Sequence, residues 1–333
     1  MKKLKKNGII LALITLIVLF LVLKDDFGSI IKLLYGSNPL FILIACLLQF
    51  LLIFFESLAF HQILKSYKED YHFKSTYQLS VITKFFNGIT PFSTGGQPMQ
   101  VYYLNKDGFR ITKATNAIMQ NFILYQVSLI TVGTLSLLLN QKYNYFMDSP
   151  ILRKLVTLGF LVNTLVMIFV FIISFSNKFN QFFIEHGINF LTSLGLIKDK
   201  EKTKERWIER CNDFHQGATF IKEHKKLCIQ GYCYNIIALL CHYAIAYFVA
   251  KALSMDASVL LIPSIVASSY VAIIGSFVPI PGASGGIEFG FLQFFGNFIS
   301  GSLLSATLLV WRSITYYIPM ILGAVVLNLR KDD

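Results

Sequence analysis

The sequence predicts an all-α integral membrane protein with about eight transmembrane helices and re-entrant or broken helices at two Gly/Pro breaks. Composition is the first observation behind this. The 333 residues are 55% hydrophobic and 14% charged, with 31 Phe and a mean hydropathy of +0.59, whereas a soluble domain carries roughly 25% charged residues. Several apolar runs approach or exceed the about 20 residues that a helix needs to cross the hydrocarbon. The third observation is a pair of breaks inside such sequence, NGITPFSTGGQP at 87–98 and PIPGASGGIE at 279–288. A bilayer core offers no water to bare backbone, so irregular chain at that depth survives only inside protein or beside a polar cavity. One interruption in each half is a pointer to a transporter-type binding site; the plainer reading makes both breaks surface loops.

Helix by helix, the basic residues orient the chain. Lys2, Lys3, Lys5 and Lys6 precede an apolar run at 8–23 that ends in Leu-Lys-Asp-Asp with no small-x-small cleavage site, so it reads as an uncleaved first helix leaving the cytoplasm. A second helix at 39–64 returns to a loop with Lys65, Lys68 and Lys74. Residues 76–87 are too short to span, and beyond the first break the chain reaches Lys106, Arg110 and Lys113. Basic flanks on both sides make 76–104 a re-entrant hairpin from the cytoplasm.

Helices at 114–139 and 151–175 cross out and back. The stretch 177–230 contains KDKEKTKERWIER and reads as amphipathic cytoplasmic helices along the membrane surface. Helices at 231–250 and 259–278 follow. Residues 287–299 rise only about 20 Å as a helix, short of the roughly 30 Å core. The segment 279–299 is therefore a broken crossing, or a re-entrant pair entering from outside. A last helix at 302–327 ends inside at Arg330 and Lys331. Both termini are then cytoplasmic, and 1–333 is one domain. No sequence-level repeat is evident, although each half carries a short helix broken by Gly and Pro.

Ionisable groups inside spans are expensive and are functional candidates. Glu288 opens the short helix after the second break, and Arg312 lies mid-span in Trp-Arg-Ser. Each is the natural partner of the other, either as a structural staple or as part of a site. In the second reading, a helix N-terminus near Gly286 points N–H groups at a phosphate. Gly282, Gly285 and Gly286, with Ser284 among them, permit close backbone approach. Arg312 would divide its guanidinium between Glu288 and that phosphate. Lys84 is a second candidate cation, or a snorkelling interfacial lysine.

The first break supplies Thr90, Ser93, Thr94, Gly95, Gly96 and Gln97, which either replace water around a head group or satisfy their own turn. Gln120, Asn121 and Gln126 face a cavity or join helices. Glu56 and His61 are five apart and do not share a helix face well.

Other chemistries find little purchase. No Walker loop, G-x-S-x-G elbow or H-E-x-x-H pair is present, so no catalytic residue is assigned. Cys211/His215 and His224/Cys228 have helical spacing but match no familiar zinc module, and neither a metal nor another cofactor is expected. The five cysteines show no close CxxC pairing. The net charge of +12 fits basic loops at an anionic leaflet, and no nucleic-acid module accompanies it.

The motif TPFSTGGQP followed by Val101-Tyr102-Tyr103, then VPIPGASGGIE and a Trp-Arg in the last span, resembles the lysylphosphatidylglycerol synthase transmembrane family, the flippase-like domain of the multiple peptide resistance factor. The resemblance covers about residues 5–328. Here TGGQP stands where the family more usually has Pro-x-Arg-x-Gly-Glu, so an Arg and a Glu are missing from the first break and the head-group preference does not carry over. The resemblance implies re-entrant helices and lipid translocation. In full-length relatives a soluble domain joins lysine from lysyl-tRNA to phosphatidylglycerol. These 333 residues contain no such domain.

The expected function is therefore translocation of a phospholipid or lipid-linked head group, such as lysyl-phosphatidylglycerol, between leaflets of a bacterial plasma membrane. The expected partner is anionic or aminoacylated phosphatidylglycerol, with a separate lipid-modifying enzyme in reach. The alternative is phosphatidylglycerol lysyltransferase activity, alone or with that partner, serving lipid metabolism and antibiotic resistance. A third is a non-transporting anchor for a lipid enzyme.

Overall fold

A computed structural model describes residues 32–146, 150–175, 177–193, 199–276 and 278–330. The helix expected at 8–23 lies outside them. The described residues are helical with no strand.

Helix α1 (Pro39–Tyr67) starts where the Asn38 side chain accepts from the Leu40 N–H at 3.0 Å and Pro39 presets the first turn. It runs alongside α8 (Lys225–Leu253), the most extensive helix pair among the described residues. Small residues permit the approach. A Cβ on Gly231 would lie 3.1 Å from Leu124 and 3.8 Å from the Ala59 carbonyl. Away from α8, Leu40, Leu43, Leu47 and Phe50 form an exposed apolar stripe. That polarity is inverted relative to a soluble protein and suits lipid.

Between α1 and α4 (Ile111–Tyr143) the chain folds into a hairpin: α2 (Phe73–Gly88), a 3-10 turn at Pro91–Ser93, and α3 (Gly96–Lys106). The two short helices pack on each other. Three helices follow, α5 (Pro150–Phe175), α6 (Asn177–Ser193) and α7 (Lys200–Glu223), and the ring of Trp207 lies over Gly187 to hold α6 against α7. His224 interrupts the helix, and α8 begins at Lys225. The last residues of the polar 177–230 stretch thus belong to a long apolar helix.

The second half repeats this layout. After α8 come α9 (Leu261–Gly275), a 3-10 turn at Pro281–Ala283, α10 (Gly286–Phe295), α11 (Gly301–Arg312), a π turn at Ser313–Tyr317 and α12 (Ile318–Leu329). Long helix, short helix, turn, short helix, long helix therefore occurs twice. Aligned on this order, PFSTGG from Pro91 to Gly96 matches PGASGG from Pro281 to Gly286. The long helix after each break begins at the same distance, Ile111 after Gly96 and Gly301 after Gly286. The backbone agrees: Phe92 and Ser93 have φ of 52° and 53°, and Gly282 and Ala283 have φ of 65° and 52°. Only Pro and the two Gly are identical between the motifs, so the likeness is structural and no sequence-level repeat beyond them is evident. The motif is six residues long, and only shared element order makes it more than coincidence.

Contacts cross between the halves. The two 3-10 turns touch, α12 packs on α2, and α9 packs on α4. At Gly323 a Cβ would come within 2.6 Å of the Val81 carbonyl, so glycine is required where α12 crosses α2. Among the described residues, four helices are long and apolar enough to span a membrane: α1, α4, α8 and the composite 301–329. The expected count of about eight is not reached by the described residues. Helix α9, at 15 residues, is too short alone, and α5 contributes the apolar stretch Val156–Leu165.

Candidate functional site

Both breaks end in polar groups that settle their own backbone. Thr90 Oγ1 donates to the Phe86 carbonyl at 2.7 Å and accepts from Gly95 N–H at 2.9 Å. Asn87 Oδ1 accepts from Gly96 N–H at 2.9 Å, and Thr94 Oγ1 donates to the Pro91 carbonyl at 3.0 Å. Thr90 and Thr94 therefore serve the turn. A Cβ on Gly95 or Gly96 would meet Thr90, Asn87 or Thr83 below 3.0 Å, so these glycines are needed for the turn to close.

In the second break Glu288 takes the position a bound anion would occupy. Its Oε2 accepts from Gly285 N–H at 2.7 Å, a reach-back that satisfies the start of α10. Its Oε1 accepts from Arg312 Nε at 2.8 Å. Arg312 Nη2 donates to the Gly282 carbonyl at 2.9 Å, and its Cζ stands 4.5 Å from the Tyr316 ring centroid. Both charged side chains are at most 5% exposed. Arg312 thus locks helix α11 to the second break. Ser284 is buried with its hydroxyl 3.3 Å from the Pro281 carbonyl, and Gly286 lies against Val278.

The π turn immediately follows Arg312, and Pro319 explains it. Proline lacks the N–H that would bond the Thr315 carbonyl and crowds that carbonyl, so the helix widens by one residue. Widening places Tyr316 over the first half, where its hydroxyl donates to the Gly88 carbonyl at 2.9 Å.

Where the breaks meet, a cavity of about 560 Å³ is lined from both halves, including Lys84, Ser93, Gly282, Arg312 and Tyr316. A neighbouring cavity of about 440 Å³ shares Lys84, Asn87 and Ser93 and adds Glu56, Gln97 and Asn121. Of the residues singled out from sequence, Glu56, Lys84, Ser93, Gln97, Asn121, Gln126, Gly282 and Arg312 line one or both. Gln120 does not; it is buried, with Nε2 donating to Tyr67 Oη at 2.6 Å. Lys84 pairs with a carboxylate on the neighbouring helix. Its Nζ sits 2.6 Å from Glu56 Oε2.

Residues 8–323 match the family model described as the lysylphosphatidylglycerol synthase TM region. The chain belongs to this family. A UPF0104 membrane protein of Methanocaldococcus jannaschii is 31% identical over 105 residues, spanning 31% of this chain and 31% of that one. Another, of Archaeoglobus fulgidus, is 23% identical over 266 residues, covering 75% of this chain and 74% of that one. Membership in the lysylphosphatidylglycerol synthase transmembrane family makes this a multi-pass membrane protein with a lipid-related role.

Within this family member the structure adds residues that sequence reasoning passed over. Glu56 is one of these as a site residue: a lone carboxylate in FFESL, deep in an apolar helix, is itself a signal, independent of its spacing from His61. His61 pairs instead with Thr76, Nδ1 to Oγ1 at 3.0 Å. Asn87, Tyr125 and His242 line the larger cavity. Nothing in the sequence pointed to Tyr125 or His242 over the other aromatic and polar residues of their helices.

Proposed function

We propose that this protein carries a phospholipid or lipid-linked head group between leaflets, its acyl chains remaining in lipid. The observation that carries the reading is the meeting of the two break turns over a cavity of about 560 Å³ that Lys84, Asn87, Ser93 and Arg312 help to line, within a molecule whose long helices expose apolar stripes. Space lined by such groups shields a head group that a bare bilayer would reject.

In this reading 76–104 is re-entrant from the cytoplasm, and the repeated unit around 279–299 enters from the opposite face. One crossing by α5, with α6 and α7 on the cytoplasmic surface, inverts the second unit relative to the first. Inverted repeats with midplane sites support alternating access. Lysyl-phosphatidylglycerol and phosphatidylglycerol are the first substrates to try, in a plasma membrane with both termini cytoplasmic. Phosphatidylglycerol lysyltransferase activity with a partner enzyme is the second reading, favoured by the family's description.

A leaflet-resolved assay on the purified full chain in proteoliposomes tests both. Labelled phospholipid should change leaflets without lysyl-tRNA. Movement no faster than in empty liposomes sinks the transport reading, and lysyl-phosphatidylglycerol made from lysyl-tRNA supports the synthase.

A further inference from the structure

The two intramembrane ion pairs differ in what they leave available. Arg312 and Glu288 are 3% and 5% exposed, and their hydrogen-bonding groups are spent on each other, on Gly285 and on Gly282. Lys84 and Glu56 are 27% and 23% exposed in their side chains and face the smaller cavity. Among the described residues, each has only the other as its ionic partner. A pair so placed can open toward a ligand without leaving a charge stranded, provided the ligand brings the opposite charges.

We propose that the cavity between α1, α2 and α4 binds a lipid head group bearing one phosphate and one ammonium, which replaces the Lys84–Glu56 pair with two new ones. This rests on the translocation reading and names its substrate class. The phosphate goes to Lys84 and the ammonium to Glu56. Asn121 Oδ1 lies buried on the same cavity with no hydrogen-bond partner. It is an acceptor waiting for a donor, and an ammonium has three. Net charge argues the same way. Among the described residues lining the two cavities, Glu56 is the sole carboxylate, and Glu288 is already committed. A net-anionic head group would take Lys84 and leave Glu56 unpaired. A lysyl head group brings a second ammonium for which no carboxylate remains. A head group of zero net charge leaves nothing unpaired.

Competitive binding to the purified full chain, read by native mass spectrometry, tests this. Short-chain phosphatidylethanolamine, phosphatidylglycerol and lysyl-phosphatidylglycerol are offered in equal amounts. Phosphatidylethanolamine should be retained about tenfold over each of the others. Glu56→Gln should abolish that preference and shift it toward phosphatidylglycerol, and the reversed pair Glu56→Lys with Lys84→Glu should restore it. Soluble glycerophosphoethanolamine should not displace the lipid at equal concentration.

Preference of the wild type for either charged lipid, or an unchanged preference in Glu56→Gln, overturns the proposal. Displacement by the soluble head group overturns its lipid assignment. Binding does not require movement, so the two readings fail separately. A phosphatidylethanolamine preference without leaflet exchange sinks translocation and supports the pairing. Exchange of phosphatidylglycerol without that preference sinks the pairing alone.

Discussion

Tyr316 donates its hydroxyl to the Gly88 carbonyl at 2.9 Å, joining residues 228 positions apart. The same ring lies under the Arg312 guanidinium. One side chain therefore connects the end of the first hairpin helix to the charge that fixes the second break. Tyr316→Phe keeps the ring and removes the bond. It should cost about 1–3 kcal/mol, since the Gly88 carbonyl loses its partner in a part-buried position. A thermal or denaturant melt in detergent measures it, and an unchanged midpoint would show that water replaces the hydroxyl.

Arg312 and Glu288 should behave as one unit. Removing either charge alone leaves its partner buried and should cost about 3–5 kcal/mol. Arg312→Met with Glu288→Gln should cost less than the two singles added together. A double-mutant cycle on unfolding reads the coupling, and strict additivity would contradict the 2.8 Å contact.

Glycines with left-handed backbone separate strain from clash. Gly282 has φ +65°, and a Cβ there would fall 2.4 Å from Tyr316 Cζ; Gly301 has φ +58° with nothing within 4 Å. Gly301→Ala should cost about 1 kcal/mol from strain alone. Gly282→Ala should cost clearly more, because Tyr316 would have to leave both Arg312 and Gly88. Equal melting shifts for the two variants would mean that the ring moves freely.

Asp107 gathers three segments. Arg330 Nη2 donates to Asp107 Oδ1 and Oδ2 at 2.7 and 2.6 Å, Tyr71 Oη donates to Oδ2 at 2.5 Å, and Lys68 Nζ donates to the Asp107 backbone carbonyl at 3.0 Å. Burial first, then the hydrogen bond and charge of Asp107, hold the Tyr71 phenol above its ordinary value. A raised folded value means stability that is complete below the unfolded value of about 10 and is lost as pH climbs above it. Unfolding followed across that range should show the loss in the wild type and a smaller loss in Tyr71→Phe. Identical alkaline slopes would remove Tyr71 from the account.

The proposed inverted arrangement of the two units predicts sidedness. In a cysteine-free background, single cysteines replacing Lys74 and Lys106 should label from the cytoplasm. Cysteines replacing Leu260 and Ser300 should label from the other face. Labelling of Lys74→Cys and Lys106→Cys from opposite sides would replace the hairpin with a true crossing.

How much could be read beforehand varies by element. Periodicity and length located the long helices to within a few residues: 39–64 became Pro39–Tyr67 and 114–139 became Ile111–Tyr143. The errors lie at the ends, where polar residues such as Lys65 continue a helix that hydropathy alone would stop. Helix α8 starts at Lys225, ahead of the expected 231, for the same reason, because Lys225 and Lys226 precede its apolar core. The π turn at Ser313–Tyr317 is marked in the sequence only by Pro319.

From sequence alone came the helical membrane class, the family, the two breaks and the charge pairing of Arg312 with Glu288. All four follow from local chemistry: apolar length, a Gly/Pro motif, and the cost of a charge in hydrocarbon. Only tertiary structure decided what those residues face. Glu288 fills the helix N-terminus that a phosphate was expected to use, and Gln120 turns to Tyr67 instead of the cavity. Lys84 finds Glu56 across two helices. Such choices depend on how whole helices are rotated and crossed, which is set by summed packing of many side chains, and no spacing within one helix encodes it.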